Sequence, residues 1–96
     1  MMEPSSMNLT DIPARSPNIV SRIIDEEAVV VHLQQGRVRV LNPVGARLWE
    51  LANGRRSVAE LAGAIVAEYN VDEERARADV LAFINDLVTQ GLLVVR

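Results

Sequence analysis

The chain has 96 residues, 49% of them hydrophobic, and 13 acidic side chains against 10 basic ones give a formal net charge of -3. With no cysteine and one histidine it can form no disulfide framework, thiolate metal site, thiol nucleophile or histidine-rich metal centre. No uninterrupted apolar run approaches the ~20 residues of a membrane-spanning helix, and the first residues lack the layout of a secretion signal, so the expectation is a cytoplasmic, cofactor-free domain with too little chemistry for an ordinary enzyme.

Residues 1–18 read as a disordered N-terminal tail. They hold Pro4, Pro13 and Pro17 with Ser5, Ser6 and Ser16, and the apolar Leu9 and Ile12 show no sustained period. The folded domain is expected over 19–96. It begins with strands: Ile19 to Ile24 is rich in β-branched residues, Asp25 to Glu27 make an acidic turn, and Ala28 to Leu33 is a second run. After the Gln34-Gln35-Gly36 turn, Arg37 to Leu41 alternates with period two, Arg on one face and Val on the other, with the valines expected in the core. These segments predict a three-stranded antiparallel meander.

Three helices follow. Asn42 is a good N-cap and Pro43 sits at the first helical position, Val44, Leu48, Leu51 and Ala52 share a face, and Gly54 ends the turn. Ser57 and Glu60 make a capping box ahead of the cleanest amphipathic pattern, Val58, Leu61, Ala62, Ile65, Val66 and Tyr69. Asp72 caps the third helix, with Glu73 and Glu74 at its positive dipole end; Val80, Phe83, Ile84 and Leu87 form its core stripe and Gly91 its end. A second apolar stripe, Ala78, Leu81, Ala82 and Val88, exceeds what one neighbouring helix covers and points to a groove. Leu92 to Val95 is an apolar exit segment.

The linked series Leu41-Asn42-Pro43-Val44-Gly45-Ala46-Arg47-Leu48-Trp49, Gly54-Arg55-Arg56-Ser57-Val58 and Tyr69-Asn70-Val71-Asp72, closing on Gly91-Leu92-Leu93, resembles the PqqD family. The resemblance covers about Ile19 to Leu93. It implies an α+β, winged helix-turn-helix-like fold of a three-stranded antiparallel sheet followed by three helices. It also implies a function: a non-catalytic chaperone that binds the leader of a ribosomally made precursor peptide as an added strand and presents it to a modifying enzyme. The Val40-Leu41-Asn42-Pro43-Val44 segment looks like that of the broader set of PqqD-like proteins found with radical SAM enzymes or leader peptidases, beside the members acting in pyrroloquinoline quinone biosynthesis. The implied peptide site lies between the third strand and the third helix: Arg37, Val38, Arg39, Val40 and Leu41 facing Arg75, Ala76, Asp79, Val80 and Phe83.

The physics suits that task, since an exposed sheet edge offers unpaired N–H and C=O groups to any chain. Arg37, Arg39 and Arg75 would attract acidic leader residues, with Asp79 orienting Arg75 at i, i+4; Ala76, Val80 and Phe83 would take an apolar anchor. Simpler readings stand beside these. A solvated strand face explains Arg37 and Arg39 equally well, Trp49 and Phe83 read as core, and His32 as a solvent-facing or singly hydrogen-bonded strand residue. The alternatives in function are a winged-helix transcription-associated regulator or a plain dimerisation domain, and a homodimer through the same edge remains an option. Nucleic acid is not an expected partner: from Asp72 to Gln90 two arginines face five carboxylates, whereas phosphate binding takes a surplus of bases.

Overall fold

A computed structural model describes residues 7–96. The elements are β1 (Pro13–Arg15), β2 (Ile19–Ile24), β3 (Glu27–His32), β4 (Arg37–Leu41), α1 (Pro43–Leu51), α2 (Val58–Tyr69), α3 (Glu73–Thr89) and β5 (Leu93–Val95). Strands β2, β3 and β4 form an antiparallel sheet in that order, and the three helices follow it, so the fold is α+β. The β2–β3 turn is tight: Asp25 and Glu26 both take positive φ, 50° and 72°, the pattern of a two-residue hairpin whose twist matches its strands.

Local chemistry starts each helix. Asn42 Oδ1 accepts from the Gly45 N–H (2.8 Å) with Pro43 at the first position. The Ser57–Glu60 capping box is complete, with both reciprocal bonds formed. Asp72 accepts from the Arg75 N–H at 3.0 Å. The helices bury Leu48 and Trp49 of α1, Leu61 and Ile65 of α2, and Val80, Ile84 and Leu87 of α3 against Ala28, Val30 and Leu41 of the sheet.

Two expectations are corrected. The first is the disordered tail over 1–18. Residues 1–6 lie outside the described residues, but from Met7 onward the chain is part of the fold. Pro13–Arg15 pairs antiparallel with Leu93–Val95, making a second, two-stranded sheet out of the exit segment. Ahead of it, the Leu9 and Asp11 carbonyls accept from the Ala59 and Val58 N–H groups (2.9 Å each), supplying acceptors for the first turn of α2 that no intrahelical bond provides. Met7 and Leu9 pack on the core. A backbone ladder and helix-end donors therefore order a stretch that has no hydrophobic period of its own.

The second correction concerns the facing of β4. The register sets Leu41, Arg39 and Arg37 opposite Ala28, Val30 and His32, the three buried residues of β3, while Val40 and Val38 oppose Val29 and Val31. Leu41 is buried, whereas Val38 and Val40 are 62% and 58% exposed. The arginines thus share the inner face with Leu41, and the valines look outward. The alternation itself is as expected; its direction is reversed, because Leu41 must reach the core and a period of two carries Arg39 with it.

Candidate functional site

Strand β4 is an edge: among the described residues nothing pairs with its outer side. Across from that edge stands α3, which packs on α2 and β5 and leaves a groove of about 610 Å³ between itself and the sheet. Its floor is made of buried apolar side chains, Leu41, Leu48, Ile65, Ala76 and Val80, and its rim of exposed ones, Val40, Tyr69, Val71, Arg75 and Asp79.

Of the residues singled out in the sequence, Arg39, Val40, Leu41, Arg75, Ala76, Asp79, Val80 and Phe83 converge on this groove. Arg37 and Val38 do not line it; Arg37 pairs across the hairpin with His32, and Val38 faces outward. Arg39 is already engaged. Its guanidinium reaches from β4 to the C-terminal part of α3, donating to Gln90 Oε1 (2.6 Å) and Asp86 Oδ2 (2.9 Å). It ties the strand to the helix rather than standing as a free cation. At the opposite end Arg75 is 82% exposed in its side chain and lies 3.6 Å from Asp79, so this guanidinium remains open to an incoming carboxylate.

The second stripe of α3 lies elsewhere. Leu81 and Val88 pack against the core and Ala78 and Ala82 are exposed, none of them lining the groove. What the sequence reading missed is the contribution of α1 and the end of α2: Asn42, Val44, Gly45, Tyr69 and Val71. Gly45 carried a signal, a glycine inside the first turn of a helix that gains nothing from its flexibility. The reason is space. A Cβ at Gly45 would stand 3.1 Å from Phe83 Cζ, so glycine lets the ring settle against α1 at the side of the groove.

Away from the groove, Trp49 is buried, donates from Nε1 to Ser21 Oγ (3.0 Å) and lies 5.1 Å from the Arg15 guanidinium above its ring. His32 is also buried, and its Nδ1 accepts from the Gln35 N–H at 3.3 Å. Arg47 makes a bidentate pair with Glu68, which holds the Glu68 carboxyl below the usual carboxylate range and raises the Arg47 guanidinium above its own. Among the described residues no group of three or more His, Asp or Glu side chains could hold a metal ion, and no helix is long and apolar enough to cross a membrane.

Comparison with known proteins gives this arrangement a context. Residues 27–93 match the family model for coenzyme PQQ synthesis protein D (PqqD). Among curated proteins, a PqqA binding protein of Bradyrhizobium diazoefficiens is 32% identical over 65 residues, 68% of this chain and 63% of the relative. Another from Rhodopseudomonas palustris is 35% identical over 57 residues, 57% of this chain and 56% of the relative. The chain thus spans less than two thirds of the length of these relatives.

Among solved structures it is similar to TbiB1 in complex with the TbiA(beta) leader peptide, with 38% identity, coverage of 83% of this chain and 93% of that one, and a TM-score of 0.77. The fold alone is shared with the PqqD truncation of Methylobacterium extorquens PqqCD, a stand-alone recognition element for ribosomally synthesised and modified peptides: 22% identity, 97% and 99% coverage, TM-score 0.79. With its family model matched over most of the folded unit and its sheet and helices in the same order as these structures, the chain belongs to the PqqD family.

Proposed function

We propose that this protein is a non-catalytic recognition module that takes the leader of a ribosomally made precursor peptide as an extra strand on β4 and presents it to a modifying enzyme of the radical SAM or leader-peptidase type. One observation carries the reading: the unpaired edge of β4 borders an apolar groove against α3. A guest backbone pairs with the edge whatever its sequence, and side chains on one face of the guest enter the groove. The apolar floor suits one or two aliphatic or aromatic anchors, and Arg75 suits an acidic residue near them. On this reading precursor and module meet in the cytoplasm, the compartment in which both are synthesised. The names of the relatives support the reading, being those of proteins that bind PqqA or were solved with a leader peptide.

The test is a titration of synthetic leader peptides, PqqA first among them, into 15N-labelled protein. Amide shifts are expected in Arg37–Leu41 and in α3 from Arg75 to Phe83. N-methylating the leader's backbone amides one at a time should weaken binding at every second position of the paired segment, since only those N–H groups face β4. Shifts confined to β1 and β5, or loss with no alternation, would reject strand addition.

A further inference from the structure

The three-stranded sheet has a second face, and it is apolar toward β4, its charges Arg22 and Glu27 lying on β2 and at the start of β3. Pairing sets Val20, Val31 and Val38 in one cross-strand row and places Val29 beside Val40 in the next, on the side away from the helices. Val29 and Val31 are half-buried between their neighbours, whereas Val38 and Val40 stand 62% and 58% exposed. With Val20 these residues make an apolar patch on the order of 400 Å², within the range that is often functional on a monomer, and Arg22 beside Val29 borders it on β2. The rows run to the edge of β4 and stop at its unpaired margin, the one that borders the groove. Both arginines of β4 lie on the other face, so this side of the edge carries no charge.

A strand added to β4 has two faces as well. One set of its side chains enters the groove; the alternate set stands beside Val38 and Val40 at about 5 Å across the new ladder. We propose that this outward valine row is a second specificity surface, selecting guest strands that carry β-branched or aromatic side chains at the positions pointing away from the groove. The inference rests on the strand-addition reading above. It takes its occupant from the continuity of the rows with the unpaired margin. A second copy stacked face to face is disfavoured by area, the patch being about half of the roughly 800 Å² per partner that stable interfaces bury.

The probe is a displayed library of random peptides about twelve residues long, selected in parallel on the full chain and on a Val38→Thr variant. Val38 is exposed and does not line the groove, threonine keeps the β-branch, and the urea midpoint of the variant confirms that it folds. Amide shifts of the labelled protein locate each selected peptide. The expected result is enrichment at both alternating sets of positions on the parent protein, and loss of the outward set alone on the variant. Selected peptides should bind the variant roughly two- to five-fold more weakly. Peptides that map to β4 and α3 yet show one enriched set, or bind both proteins equally, overturn the outward row and leave the groove reading intact. Selection that yields no peptide mapping to β4 and α3 overturns the groove reading itself. A concentration-dependent dimer in sedimentation that disappears in the variant assigns the face to a second copy and overturns the proposal.

Discussion

The protein treats two of its strand margins, the β1–β5 ladder and the β4 edge, in opposite ways. At the β1–β5 ladder the chain seals itself. Pro13–Arg15 pairs with Leu93–Val95, the Ile12 carbonyl accepts from the Arg96 N–H (2.8 Å), and the Pro13 carbonyl accepts from Gly54 (3.0 Å). Gly54 takes φ of +83° and would carry a Cβ only 3.3 Å from that of Ala14, so the loop after α1 is pressed onto the ladder. At β4 the backbone is left unpaired beside an open groove, with half-exposed side chains around it. A small domain buries only part of its surface, and here the closed margin supplies rigidity while the other stays available. Stability and recognition are thereby placed on different residues, which makes them separable by mutation.

The largest effect should come from the sealed side. Trp49→Ala removes a buried ring that joins α1, Ser21 of β2 and Arg15 of β1, and is expected to cost about 3–5 kcal/mol in urea unfolding. The fraction that remains folded should bind peptide normally; a parallel loss of affinity would mean that the two margins are coupled. Phe83→Ala acts on the open side. The ring is half-buried between Gly45 and the groove, so about 2 kcal/mol of stability and about tenfold in peptide affinity are expected to go together, read by denaturation and titration. Unchanged affinity would move the anchor pocket away from Phe83.

Arg39→Ala cuts the tie between β4 and α3. Its partners are partly exposed, so stability should fall by at most about 1 kcal/mol, and less in high salt. Line broadening of Gln90 and β4 amides would show the groove end loosening; amide spectra unchanged beyond the immediate neighbours would show that the tie does not set the width of the groove.

The smallest effect concerns pH. The Glu68 carboxyl sits below its ordinary value of 4.5 because Arg47 hydrogen-bonds and pairs with it. A carboxylate with a lowered folded-state pKa stabilises the protein above the unfolded value and loses that contribution as pH falls through the folded one. Glu68→Gln should therefore lower the urea midpoint slightly at pH 7, and the difference should shrink below pH 4.5. A difference that persists at the acid end would assign the effect to packing instead of charge.

The helices were legible because their start signals are local. Asn42-Pro43, Ser57 with Glu60, and Asp72 each act within one turn, and each caps the helix expected of it. The pairing of β1 with β5 was not legible. Strands of three residues carry too little alternation to display a period, and Pro13 finds Val95 at the far end of the described chain. The facing of β4 was misread for a different reason. Val29, Val30 and Val31 give the central strand the same residue on both sides, so only the register to Ala28 reveals which side is inner, and Leu41 was the residue to follow. At the groove, the β4 and α3 walls were readable from spacing and resemblance, whereas the share of Tyr69, Val71 and Gly45 depends on how α1 and α2 cross, which no single helix encodes.

Trp49 is the sole tryptophan, and it lies beneath the Arg15 guanidinium on the closed side and does not itself line the groove. Its fluorescence should therefore report melting faithfully and stay dark to loading, while the phenol of Tyr69 on the rim is the natural optical reporter of an arriving guest. A titration followed at tryptophan wavelengths would look like failure even with every groove filled.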